Sequence, residues 1–310
     1  MKDGEFKLIG HIREMFGTPA DMLGIGDDCA VIPQDGNLET LVSTDMLVEG
    51  IHFLPDASPY ELGWKSAAVN ISDIAGMGGT PVGSFLSMAL PRTLKDSYIL
   101  DFLHGYKDLS DRYGCPLLGG DTTSSPDRLC ISVTVTGTCP RGKSVKRSGA
   151  LPGDLICCTG TLGDSAAGLK ILLGEVRSGS GSLIRRHCSP LPRIEEGLAL
   201  AQAGVHAMMD ISDGIGSDIR HILEESGCGA VIDTRALPVS DELREFCDAN
   251  GLDTRDLALE GGEDYELLFT LAPETEAQLK VGHSVIGRIT GGSGVEWLGG
   301  SKDYMGFRHF

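Results

Sequence analysis

GTCPRGKS, Gly137 to Ser144, satisfies the phosphate-loop pattern G-x-x-x-x-G-K-[ST] at every position. A working phosphate loop joins a buried apolar strand to the start of a helix, where free backbone N–H groups cradle phosphate. Neither neighbour fits. Upstream, RLCISVTVTGT alternates apolar and polar residues as a half-buried strand does. Downstream, VKRSGALPGD holds Gly149 and Pro152, which stop a helix within a turn. The match therefore reads as a loop, and the polar segment Arg141 to Asp154 reads as a junction between two α/β (α+β) units, residues 1–148 and 149–310.

The chain's 310 residues suffice for two domains, each with its own core. Its net charge of −18 argues against nucleic acid as a partner, while leaving anionic substrates open where cations mediate. No stretch is apolar enough to span a bilayer, and MKDGEFKLIGHIREMFG lacks a signal peptide's apolar core, so a cytoplasmic enzyme is expected. Nine cysteines, an odd number without a C-x-x-C pair, are expected to be mostly buried small hydrophobes, not zinc ligands. The 43 glycines cluster beside acids and threonines, as in turns that approach a ligand.

Periodicity predicts an amphipathic helix at the start (Phe6, Ile9, Ile12, Phe16), a strand over Leu38 to Met46 and helices over Pro59 to Met77 and Tyr98 to Tyr113. PVGSFLSMALP reads as a strand, and CPLLGGDTT as a short strand ending in a glycine turn. In the second half, DLICCTGT, EDYELLFTL and SVIGRIT read as strands and MMDISDG as strand plus turn, with helices from near Asp164, over Arg193 to Ala203 and over Ile215 to Ser226.

Acids recur beside apolar runs and glycine or hydroxyl residues: GIGDDCAVI holds Asp27 and Asp28 in a glycine turn before a strand, LVSTD puts Asp45 at a strand's end, LLGGDTT puts Asp121 after two glycines, and MMDISDGIGSD supplies Asp210, Asp213 and Asp218. Asp73 in NISDIAGMGG falls near a helix end, and EGGEDYE adds Glu260, Glu263, Asp264 and Glu266. A lone acid of this kind is usually a turn or a helix cap. Several segments sharing one grammar point instead to gathered carboxylates that need cations between them. Oxygen ligands of this kind suit magnesium, and magnesium suits polyphosphate. Lys146 and Arg147 read equally as phosphate contacts or solvated loop charges. His52 in VEGIHF reads equally as a structural or a site residue. DYMGFRHF reads as a docked tail or an aromatic wall for a heterocycle, and NIS at Asn70 is a formal sequon without a secretory signal.

Taken together, GEFKLI, GIGDDCAVI, STDMLVEGIHF, NISDIAGMGGTP, LLGGDTT, KRSGALPGD, GDSAAGL, DISDGIGSD, EGGEDYELLFT and GFRHF resemble, in order and from end to end, the bacterial and archaeal thiamine-monophosphate kinase family of the PurM-like ATP-binding superfamily. The resemblance implies a PurM-like two-domain fold: an N-terminal half-barrel domain that pairs across a homodimer, near which ATP sits, plus a C-terminal mixed-sheet domain. It implies ATP-dependent phosphorylation of thiamine monophosphate to thiamine diphosphate with Mg2+. Carried over by motif, the magnesium ligands are Asp28, Ser43, Thr44, Asp45, Asp73, Asp121, Asp210 and Asp213. The ATP contacts are Gly120, Asp121, Arg147 and Ser212, and the thiamine-phosphate contacts are His52, Glu263 and Phe307. Arg308 replaces the family's usual Asp, and Gly76 stands where Ala is common; neither is expected to touch a ligand residue. The acceptor is a phosphate dianion, so no side chain is expected to serve as catalytic base. The alternatives are a sibling enzyme of the aminoimidazole ribonucleotide synthetase or selenophosphate type, a phosphate-loop enzyme, and a non-catalytic nucleotide sensor on the same fold.

Overall fold

The computed structural model describes residues 5–176, 180–300 and 302–307, so Arg308 lies outside the described residues. In chain order the first half runs α1 (Glu5–Phe16), β1 (Ala30–Pro33), β2 (Leu38–Val48), α2 (Pro59–Gly76), β3 (Thr80–Pro91), α3 (Asp96–Tyr113), β4 (Leu117–Ser125) and β5 (Cys130–Pro140). The second runs β6 (Leu155–Cys158), α4 (Asp164–Leu172), α5 (Gly181–Cys188), α6 (Ile194–Ala203), β7 (Ala207–Asp210), α7 (Ile215–Ser226), β8 (Gly229–Asp233), α8 (Asp241–Asn250), α9 (Thr254–Glu260), β9 (Leu267–Leu271), α10 (Pro273–Glu276), β10 (Ser284–Thr290) and β11 (Gly294–Leu298). The expected mixed α/β architecture is present. No helix among the described residues is long and apolar enough to cross a membrane.

The first sheet has the order β1-β2-β5-β3-β4, antiparallel except for the β3–β4 pair. β2 and β5 pair over their whole length, from Leu38↔Pro140 to Val48↔Cys130. β5 keeps the alternation read from its sequence, with Ile131, Val133 and Val135 buried. No helix follows it; the segment after Pro140 is turn and coil up to β6, so GTCPRGKS is not a phosphate loop.

α2 covers the inner face of this sheet. Ser58 caps it, accepting the Glu61 N–H, and Pro59 occupies its first turn. Two glycines let α3 lie against it: a Cβ at Gly63 would sit 1.9 Å from the Phe102 carbonyl oxygen, and one at Gly105 would sit 1.8 Å from that of Tyr60.

The second sheet has the order β11-β8-β10-β6-β9-β7, with only β8 and β11 parallel. Its strands LICC, LLFTL and the edge strand AMMD are almost wholly apolar because both faces are covered. Cys157, Met208, Leu267 and Phe269 join the core around α2, while Ile156, Cys158, Met209 and Leu268 join a core with α7 and α9. This corrects the expectation of one core per half: the larger core crosses residue 148 because α2 is wedged between the two sheets.

Three local expectations also change. CPLLGGDTT does not end in a turn; β4 runs through both glycines to Ser125 as an exposed edge strand. EDYELLFTL begins as a loop, with Glu263 at φ 64° and Tyr265 at φ 50°, and becomes strand only at Leu267. α1 forms, but Ile9, Ile12 and Phe16 stay exposed, because its apolar stripe does not meet either core. All nine cysteines are free and seven are buried.

Candidate active site

α2 carries the site on one side of its last two turns. Ser72 donates to Asp210 at the end of β7 (2.6 Å), and Asp73 accepts from Ser43 on β2. Asp210 in turn gives its backbone N–H to Asp28 (3.3 Å). Asp45 lies mid-strand in β2, not at a strand end, and its N–H is held by Asn70 of α2 (3.1 Å). Asn70 is fully buried, which gives the formal sequon a structural role. Asp28, Ser43, Asp45, Asp73 and Asp210 are thereby brought together where the two sheets face each other.

Burial pushes every one of these carboxyls up, and each neighbour adds to it. Asp45 rises to about 6 through burial and then Asp28. Asp210 rises to about 8 through burial and Asp28, against the Ser72 hydrogen bond. Asp73 lies well above the carboxylate range, from burial, Asp45, Asp210 and Asp28. The cation among them is Arg147, which clamps Asp28 through Nε (2.9 Å) and a terminal nitrogen (2.7 Å), while its own N–H goes to Asp27 (2.6 Å). Burial still holds Asp28 above its ordinary value. One guanidinium against four carboxyls, those of Asp28 and Asp210 buried and those of Asp45 and Asp73 partly so, leaves the group short of positive charge.

Gly76 lies against this group, correcting the expectation that it touches no ligand residue. A Cβ there would stand 2.1 Å from Asp28 Oδ2. The helix thus gives the Asp28 carboxylate the space an alanine would fill.

Not every motif residue joins the cluster. The Thr44 side chain points to the opposite face of β2 from Ser43 and Asp45, where its hydroxyl meets the Val133 carbonyl (3.1 Å) and Thr134 (3.0 Å). Asp121 is exposed on edge strand β4 and caps the Thr122 N–H (2.9 Å). Gly120 beside it is required by packing, since a Cβ would meet the Leu86 carbonyl oxygen at 1.7 Å.

A second group adjoins the first. The turn after β7, holding Ser212 and Asp213, is stapled to the EGGEDYE loop by Glu263 N–H to Ser212 C=O (2.7 Å) and Tyr265 N–H to Ile211 C=O (2.9 Å). The tail docks on the same turn through Phe307 N–H to Asp213 C=O (2.9 Å), leaving the Phe307 side chain half exposed. Asp218, buried in α7, accepts the Asp213 and Gly214 N–H groups and so acts as a cap. Ser212, Asp213, Glu263 and Phe307 are therefore contiguous. His52, in the turn after β2, accepts the Val48 N–H at Nδ1 (3.0 Å) and lies close enough to Glu263 to favour its ionised form.

Sequence reasoning missed Ser72, Asn70, Lys65 and His187. Lys65 and Ser72 share a face of α2 two turns apart, and a lysine in so apolar a helix was the available signal. Two cavities of about 310 and 370 Å³ open instead beside Arg186 and Arg193, which pin the buried Glu266; none of the clustered aspartates lines them.

The residues fit magnesium of a particular kind. Among the described residues no three acid, histidine or cysteine side chains converge on one point, so no all-protein cage is formed. Magnesium is usually held by one or two carboxylates, waters and substrate phosphates, and a spread of under-neutralised carboxylates suits that mode.

Residues 26–139 match the model of the AIR synthase related protein N-terminal domain, and residues 152–297 that of its C-terminal domain. The thiamine-monophosphate kinase of Salmonella typhimurium is 40% identical over 331 residues, covering 100% of this chain and 99% of that protein. The chain belongs to the thiamine-monophosphate kinase family. The family member from Aquifex aeolicus is 38% identical over 310 residues, covering 99% of this chain and 98% of its own. A solved structure, AaThiL complexed with AMPPCP and TMP, superposes with a TM-score of 0.92 at 37% identity, covering 100% of this chain and 98% of that one. Kinase membership agrees with a site built from carboxylates and without a phosphate loop.

Proposed function

We propose that this protein transfers the γ-phosphoryl group of ATP to thiamine monophosphate, giving thiamine diphosphate and ADP. The observation that carries the reading is the cluster of four buried or half-buried carboxyls around Arg147, beside the Ser212–Glu263–Phe307 surface, in a member of this family. Asp28, Ser43, Asp45, Asp73 and Asp210, with Asp121, Asp213 and Thr44 by motif, are the residues that would hold Mg2+. Bound there, magnesium would neutralise charge on the phosphates of donor and acceptor.

The chain's own groups do the rest. Arg147 is placed to exchange its Asp28 partner for nucleotide phosphate, with Gly120, Asp121 and Ser212 as further ATP contacts. His52, Glu263 and Phe307 orient the thiamine phosphate. The acceptor oxygen is already anionic near neutral pH, so transfer proceeds directly and in line, with no side-chain base and no phosphoenzyme. We assign residues 1–148 and 149–310 as the two domains. A homodimer is supported by the exposed edge strand β4 with Leu117 and Leu118, and by exposed Met46 and Phe85 on the same sheet. Free thiols throughout suit the cytoplasm.

Phosphorus NMR of protein, thiamine monophosphate, ATP and MgCl2 tests the reading. Thiamine diphosphate and ADP should form together and stop on adding EDTA. ATP consumption without thiamine diphosphate would overturn the substrate, and a labelled phosphoprotein would overturn direct transfer.

A further inference from the structure

Glu263 is buried on one side by groups that no part of the phosphoryl-transfer reading uses. Lys65 of α2 meets its Oε1 at 2.7 Å, and His187 Nδ1 of α5 lies 3.4 Å from its Oε2. Lys65 Nζ also lies 3.5 Å from His187 Nε2, and Ser165 Oγ of α4 lies 3.1 Å from His187 Nδ1. The side chains of Lys65 and His187 are only 4% and 8% exposed, whereas that of Glu263 is 28% exposed. The carboxylate is therefore backed by Lys65 and His187 and open in front.

The hydrogen-bond inventory fixes the roles. An ammonium can only donate, so Nε2 of His187 is its acceptor and Nδ1 carries the ring proton toward Glu263 and Ser165. Burial holds His187 neutral, with its pKa lowered to about 4. Burial alone would raise Glu263, but the Lys65 ammonium, then His187, and also His52 outweigh it and hold it below its ordinary value. Cys188 and Tyr265 also lie within reach of the Glu263 charge. Glu263 sits at φ 64°, tied by its N–H to Ser212, so its backbone cannot slide to compensate for a lost partner.

We propose that Lys65 is a positioning residue for the thiamine end of the substrate, holding Glu263, with His187, as a fixed ionised acceptor for the exocyclic amine of the aminopyrimidine ring. Because the Lys65–Glu263 pair is neutral overall, it offers a directed hydrogen bond and little pull on the thiazolium charge. The proposal rests on the substrate reading above and names a residue that the family motifs did not supply.

The test is a cycle of Lys65→Met, Glu263→Gln and the double variant, with KM and kcat for both substrates. Lys65→Met should raise KM for thiamine monophosphate about tenfold, leaving kcat and KM for ATP within about threefold. The acid limb of kcat/KM for thiamine monophosphate should move up by about one pH unit or more, since the buried carboxylate then protonates more easily. Neither change is expected of a merely structural lysine. Lys65→Met strands a buried charge and is at risk of unfolding, but Lys65→Met/Glu263→Gln removes both charges. The double variant should match Glu263→Gln alone in KM. An unchanged KM in folded Lys65→Met, or in Glu263→Gln, would overturn the proposal. So would a further about tenfold rise in the double variant, which would put Lys65 on the substrate itself. If the wild-type chain does not phosphorylate thiamine monophosphate, the substrate reading fails first, and the proposal falls with it.

Discussion

One helix, α2, serves two groups of buried acids that solve the same problem in opposite ways. Near its start, Lys65 neutralises Glu263, whose pKa is lowered. About two turns on, Ser72, Asp73 and Gly76 face Asp28, Asp45 and Asp210, whose pKa values are raised. Burial pushes upward in both groups, although the Glu263 side chain is 28% exposed and that of Asp28 is fully buried. The balance of charge separates them further: one lysine for one glutamate, against one arginine for four aspartates. An acid matched inside the chain is a finished hydrogen-bond acceptor. Acids left in excess are a site that waits for charge from outside.

The contrast breaks most visibly where an aspartate is lost. Asp73→Asn or Asp210→Asn should lower kcat/KM by about a hundredfold or more and raise the magnesium needed for half-maximal rate. Steady-state rates across a magnesium titration check this; full activity at unchanged magnesium would remove the cluster from the chemistry.

A smaller effect is expected on stability. Asp210 titrates at about 8 in the folded chain and near 3.9 unfolded, so the folded state holds the extra proton between these values. Stability from such a group falls as pH rises through that window. His187 and His221, both lowered to about 4 by burial, act in the other direction, but only up to their unfolded value of 6.5. In EDTA the unfolding free energy should therefore drop by about 1–2 kcal/mol between pH 6.5 and 8. Magnesium should abolish the drop, and urea midpoints measure it. A flat profile in EDTA would mean that the aspartates are already matched.

The smallest effect is at the stretch that first invited a phosphate-loop reading. Lys143→Ala should leave kcat and both KM values within about twofold, since no helix follows it. A large loss of turnover would restore that reading.

How far the sequence could be read follows from the range of each interaction. β5 was legible because alternation is local, and α2 because its apolar spacing is local. The grammar of strand, glycine or hydroxyl, and acid marked Asp28, Asp45 and Asp210 as a set. It could not show that Thr44 faces away, or that Asp121 stands exposed mid-strand in β4, since Gly120 there serves close strand packing and not a turn. Lys65 stood out only as a lysine in an apolar helix; its role was illegible because the partner that gives it meaning, Glu263, lies far along the chain in a loop with left-handed residues. Gly76 looked like a silent change until Asp28 was found beside it.

Proton release on magnesium binding tests the central contrast most directly. Metal-free protein in weak buffer at neutral pH is titrated with MgCl2 alone, following heat and pH together. Net release of about one proton per chain is expected, because the cation takes the place of protons on the raised aspartates, and Asp210→Asn should release fewer. Saturable magnesium binding without proton release would contradict it, and would mean that these acids are charged and matched before any metal arrives.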